Sequence, residues 1–303
     1  MAHQQIMEGF PHHIQEKLAQ RENERLALPA YISGKAKSLV FENLKLWQTG
    51  SLLVSFKGGN STLHKAIADT AKIWSRFANI TFDFGNEAKQ QYRGWTADDD
   101  SHIRVGFDYD GYWSLVGTDS RDTAIVSAGD ITLNLSGFDQ GLPRDWEGIV
   151  LHEFGHAIGF HHEHATPDIP CDFDWDKVYE YLAQPPNRWS KEKVDFNLRQ
   201  MPAAGLTYGP HDKHSVMHYS FPDWMFVSGA ASPCCTPVNN SLSAEDQRMA
   251  TKAYPFNKEA FAAGSLFKKE ALEDLLAIGA NGSDHFAKHL SYLKEDQSYR
   301  NFF

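Results

Sequence analysis

The amino-acid sequence predicts an α+β fold, with a twisted sheet and two long helices in the N-terminal half, an irregular C-terminal half, and a cleft between them. Three observations carry that prediction. Between Ser51 and Ile158, short alternating apolar runs interleave with helical patterns. From Ala165 to Pro210, prolines at 167, 170, 185, 186, 202 and 210 interrupt any regular period. Between the halves lies LHEFGHAIGFHHEH, residues 151–164, with the spacing of a metal-binding helix and turn.

Taken in order, residues 1–40 are polar and charge-dense, and IQEKLAQRENERLAL offers a weak helix within a solvated extension. Ser51 to Lys57, SLLVSFK, reads as an apolar strand ended by Gly58 and Gly59. Ser61 or Thr62 can cap a helix running to about Ala78, with Leu63, Ile67, Ile73, Trp74 and Phe77 on its core side. Ile80 to Phe84 alternates as a strand, residues 97–101 form an exposed turn, and His102 to Phe107 is the next strand, its lone histidine structural or on the surface. Asp130 to Leu135 is a further strand, and the metal helix starts near Asp145, after Pro143, and runs to Ile158. Asp176 to Leu182 forms a short helix. Ser243 to Tyr254 forms another, with Ser243 as cap and Asp246 three residues on. Leu266 to Ala277 and His285 to Leu293 have the spacing of short amphipathic helices.

The chemistry is concentrated at residues 152–162, H-E-x-x-H-x-x-G-x-x-H. Residues four apart on a helix share a face, so His152 and His156 can present imidazoles to one point. Gly159 lets the backbone turn back, which brings His162 to the same point as a third ligand. Three neutral imidazoles leave a fourth position open, as in catalytic rather than structural zinc sites. Glu153, beside the first ligand, is placed to take a proton from water activated by the ion. A helix of core histidines satisfied by carbonyls would explain neither the spacing nor the glycine. The register of His161 and His164 points them off the metal, towards the surface or behind the ligands. His218 reads as structural, and His211 and His214 as secondary contacts.

With Ser215-Val216-Met217-His218-Tyr219 downstream, this stretch resembles the metzincin zinc peptidases, specifically the astacin family, whose pattern is HExxHxxGFxHE followed by S-x-M-H-Y. Phe160 and Glu163 match it, as do Trp47, WSLVGT at 113–118, Asn187-Arg188-Trp189-Ser190 and Leu242 to Asp246, so the likeness covers roughly residues 40–256. The resemblance implies a zincin-like fold with a mostly parallel sheet, the strand at 130–135 forming the edge above the cleft and holding an extended peptide. It implies one catalytic zinc ion on His152, His156 and His162, with Glu153 as general base. Met217 would lie beneath the metal, and Tyr219 would approach it, swing away when substrate binds, and donate to the oxyanion. Glu163 would meet the buried N-terminus of a mature enzyme. The organisation expected is an N-terminal extension at 1–40 in the place of a pro-segment, a catalytic domain at 41–256 divided at 159/160, and a helical appendage at 257–303. The family's inhibitory F-x-G-D has its nearest counterpart in Ile32-Ser33-Gly34-Lys35, where a charged lysine cannot ligate zinc.

The function implied is zinc-dependent endopeptidase action on a protein or peptide substrate. The alternatives are a catalytically silent binding module and a zinc hydrolase of non-peptide amides. An acidic preference after the cut bond would need a basic group, for which Arg199 and Lys213 are available. The net charge of −10 argues against a nucleic-acid surface. No stretch is apolar for long enough to cross a membrane. The opening MAHQQIMEGFPHHIQEKL lacks the pattern of a secretory signal, which predicts a cytoplasmic protein or leaderless, effector-type export. Cys171, Cys234 and Cys235 make no disulfide framework; Cys234 and Cys235 read as ordinary thiols, in keeping with a reducing compartment or a bacterial relative. A monomer is expected.

Overall fold

The structure, a computed structural model, describes residues 9–26, 45–48, 50–167, 169, 171–185, 187–201, 208–279 and 283–299. The segment 32–35, the nearest counterpart of the family's inhibitory F-x-G-D, lies outside the described residues.

Its sheet joins β1 (Ser51–Phe56), β2 (Thr81–Asp83), β5 (Ile103–Gly106), β6 (Tyr112–Ser114) and β7 (Leu133–Leu135) in the order β2-β1-β5-β7-β6. All neighbours are parallel except β6, which runs antiparallel to β7 with Trp113 opposite Asn134. A small hairpin of β3 (Gly85–Asn86) and β4 (Gln91–Tyr92) stands apart. The parallel strands are buried on both sides, with Leu52, Val54, Val105, Leu133 and Leu135 in the core, as apolar runs in parallel sheets require.

The edge strand differs from the one expected. Residues 133–135 are interior, between β5 and β6, and among the described residues the sheet ends on that side at Tyr112–Ser114. Strand order is set by pairing between distant segments, on which the local alternation of DITLNL is silent.

Helices α2 (Ser61–Ala71) and α3 (Trp146–Ala157) pack against each other and, with the sheet, enclose the main core. The cap of α2 is Asn60, not Ser61 or Thr62: its side chain accepts from the N–H groups of Thr62 and Leu63, both at 3.0 Å. The helix also stops at Ala71 rather than Ala78, giving way to a 3₁₀ turn at Trp74–Arg76 that keeps Trp74 buried.

The second half has its own core around Phe173, Val178, Leu182, Trp189, Val194, Phe221 and Phe226. It holds α4 (Trp175–Leu182) and α5 (Lys191–Leu198). The latter, capped by Ser190, has no counterpart in the sequence reading because proline-rich flanks hide its short period. A disulfide joins Cys171 to Cys234 across this core, with Cα atoms 5.4 Å apart. Cys234 is therefore not the free thiol expected; the pairing spans 63 residues, and spacing alone cannot reveal it. Cys235 is free.

Three more helices follow: α6 (Ala244–Ala253), α7 (Lys258–Ala277) and α8 (Ser283–Tyr299). Both of the last two are longer than the stretches expected, and they pack on each other. No helix among the described residues is long and apolar enough to cross a membrane.

The N-terminal helix α1 (His12–Leu26) is not a solvated extension. Ile14 and Phe10 are buried against Trp113, Ile125 and Ile131, and Arg21 forms a buried ion pair with Asp122 at 3.1 Å while also reaching Asp284 of α8 at 3.0 Å.

Candidate active site

Helix α3 is buried along most of its length: Val150, Leu151, Phe154 and Ala157 pack into the main core, and His152 and His156 sit one turn apart with ring centroids 4.7 Å from each other. The helix ends at Gly159, whose φ of +103° is one that a side chain resists. A Cβ there would also lie 2.8 Å from Leu46 Cδ2. The carbonyls left open by the helix end find donors outside it: Trp47 Nε1 donates to Ala157 at 2.8 Å and the Tyr254 hydroxyl to Ile158. This fixes the turn and sends the chain back to place His162.

The three imidazoles converge. Nε2 of His156 lies 3.1 Å from Nε2 of His152 and 3.1 Å from Nε2 of His162. A tetrahedral ion with metal–nitrogen bonds of about 2.0–2.1 Å would set its ligands about 3.3 Å apart, so the spacing fits zinc. The outer nitrogens fix the tautomers. Nδ1 of His152 donates to the Val216 carbonyl and Nδ1 of His156 to the Phe160 carbonyl, both at 2.7 Å. Their Nε2 atoms are therefore lone-pair nitrogens, which cannot hydrogen-bond to one another; a cation makes the convergence favourable. The set His152, His156, His162 is one of two groups among the described residues with metal-ligand geometry.

Glu153 is buried beside the first ligand. The edge strand β6 is close by: burial first, and then the charge of Glu153, push the Tyr112 hydroxyl up. Tyr219 lies against the ligands, its ring stacked on His152 at 5.3 Å and 4.3 Å from that of His162. Met217 packs under α3, where a Cβ on Gly155 would overlap its Sδ. Burial pushes the carboxyl of Glu163 up to about 7, although it accepts the Asp212 N–H at 2.8 Å. A cavity of about 320 Å³ borders His162 and Glu163 and is walled by Phe267 and Lys268 of α7; Glu153 and Tyr219 do not line it.

Sequence reasoning missed the anchor of this turn. Asp246 accepts from Ser215 Oγ at 2.6 Å and from the Val216 N–H at 2.9 Å, while also accepting the Ser243 N–H in the capping box of α6. The S-x-x-D spacing showed the cap but not the partners 30 and 31 residues away. His164 is fully buried, stacked 4.9 Å from His162 and 5.0 Å from Tyr219, so it backs the ligands and is not on the surface. His102 is structural, its Nδ1 accepting the Leu53 N–H, and burial holds it down to about 4. Arg199 is engaged by Asp195 and the Tyr179 hydroxyl, both at 2.7 Å, and by the face of Trp175, so it is not the free cation expected for substrate.

Comparison with known proteins agrees with this geometry. The family model described as Astacin, a peptidase family, matches residues 40–251. The chain is similar to meprin A subunit beta of Rattus norvegicus, 28% identical over 169 residues, which is 55% of this chain and 20% of that protein. It is also similar to a bone morphogenetic protein 1 homolog of Strongylocentrotus purpuratus, 26% identical over 166 residues, covering 55% and 21%. The chain thus spans about a fifth of the length of these curated relatives. Among solved structures, one of myroilysin is 32% identical with a TM-score of 0.60, covering 70% of this chain and 97% of that one.

Proposed function

Because this chain belongs to the astacin family of peptidases, we propose that it is a zinc-dependent endopeptidase acting on proteins or peptides bound in extended form. His152, His156 and His162 would hold one zinc ion, which supplies Lewis-acid activation of water and of the scissile carbonyl. The observation that carries this is the convergence of three Nε2 atoms, two of them locked as lone-pair donors, beside a buried glutamate.

The rest falls to the chain's own residues. The Glu153 carboxylate takes the proton from the attacking water and passes it to the leaving amide nitrogen. The Tyr219 hydroxyl donates to the oxyanion of the tetrahedral intermediate, from a ring already held against two ligands. The outer side of β6, which pairs with no further strand among the described residues and lies beside Glu153, would offer main-chain groups to a substrate strand. Met217 seats the ligand helix from below.

Cleavage of casein by the purified protein, with and without a chelator, tests the activity. The Glu153→Gln variant tests the mechanism: it keeps zinc and loses nearly all turnover. A Glu153→Gln protein that cuts casein as well as the parent refutes the general-base role, and a zinc-loaded parent that cuts no protein favours the binding-module alternative.

A further inference from the structure

A second group with metal-ligand geometry lies outside the site described above. Nδ1 of His218 donates to the Tyr219 carbonyl at 2.7 Å, which leaves its Nε2 as the lone-pair nitrogen. That Nε2 and the Nε2 of His211 are both buried and have no hydrogen-bond partner among the described residues. Leaving such atoms unpaired forfeits the hydration that they have in the unfolded chain. The two rings stand 5.3 Å apart. One ligand atom from each of His211, His218 and Cys234 lies within 4.8 Å of the others. His218 and Cys234 are buried, and His211 is half-buried, giving the group one side towards solvent. The carbonyl lock on His218 matches those on His152 and His156.

What this group lacks is a free thiolate, because Cys234 is bonded to Cys171. Two imidazoles and one thiolate make a donor set suited to zinc. We propose that the Cys171–Cys234 disulfide gates a second zinc site, in which reduction releases Cys234 to bind the ion together with His211 and His218. A dithiol reductant supplies the two electrons. One of its thiolates attacks Sγ of Cys171, the partly exposed partner, and Cys234 departs as the thiolate. The second thiol of the reductant then displaces Cys171, closing the reductant to its own disulfide and leaving both cysteines reduced. Zinc holds Cys234 as the thiolate, and the proton it would otherwise carry stays in solvent. The proposal does not depend on peptidase activity.

The test loads the full chain with zinc, or with cobalt as a spectroscopic probe, with and without a water-soluble phosphine, which gives its two electrons to the disulfide and leaves as the phosphine oxide with its oxygen taken from water. The oxidised protein should retain one equivalent of metal after dialysis and the reduced protein two. The reduced cobalt protein should also gain a thiolate-to-metal charge-transfer band, which a site of three imidazoles cannot produce. Cys171→Ser leaves Cys234 unpaired and should hold two equivalents without any reductant, whereas His211→Ala should stay at one throughout. Parent protein that titrates with all three thiols free yet gains neither metal nor band overturns the proposal, as does a band that persists in Cys234→Ser. If Cys171→Ser does not fold, the phosphine comparison on the parent decides by itself.

Discussion

Tyr219 shows what a single side chain contributes here. Its ring lies against those of His152, His162 and His164, so the hydroxyl is presented by a surface that also positions two ligands. Tyr219→Phe keeps those ring contacts and removes only the donor. It should lower kcat on a peptide substrate roughly 100-fold, the scale for one oxyanion donor, with bound zinc unchanged. Equal kcat in the two proteins would show that the hydroxyl takes no part. At this scale the ligands were the legible part of the sequence, because i, i+4 spacing and a glycine are local facts. Asp246 was not legible as the anchor of residues 215–216, nor Cys171 as the partner of Cys234, since both relations exist only after distant segments meet.

Among the elements, α3 and its terminal turn form the unit on which the site rests. The turn is held by Gly159 at φ +103°, by the indole of Trp47 and by the hydroxyl of Tyr254. Gly159→Ala forces a side chain into that backbone conformation and against Leu46. It should cost about 1–3 kcal/mol in a urea unfolding midpoint and weaken zinc retention through misplacement of His162. Unchanged zinc affinity would mean that the third imidazole finds its place without the glycine. The helix, its ends and most strands were readable from period and caps. The order of the strands was not. It depends on which strand pairs with which, so the sequence reading puts residues 130–135 at the sheet edge that Tyr112–Ser114 occupies.

Across the whole molecule, helices α1 and α8 meet each other and the main body of the fold through one buried arginine. Arg21 of α1 is buried between Asp122 of the core and Asp284 of α8. Arg21→Ala leaves the carboxylate of Asp122, 3% exposed, without this partner. That should cost about 3–5 kcal/mol, read as a fall in the urea midpoint; a fall below about 1 kcal/mol, the scale of a surface pair, would show that the ends contribute little to stability. The polar composition of residues 1–40 concealed this role, because the docking rests on a few side chains, with Phe10, Ile14 and Leu18 packing on the cluster and Lys17 and Arg21 reaching Ile125 and Asp122. The Cys171–Cys234 bond closes a 63-residue separation in the second half, and on loop closure alone contributes roughly 4 kcal/mol.

Each of these scales converges on the metal site, and zinc K-edge X-ray absorption of the purified, oxidised protein probes it most directly. The predicted result is one zinc per chain, surrounded by nitrogen and oxygen at about 2.0–2.1 Å, with imidazole outer-shell scattering and no sulfur. Folded, proteolytically active protein without zinc, or with a sulfur-rich first shell around it, contradicts the assignment of His152, His156 and His162.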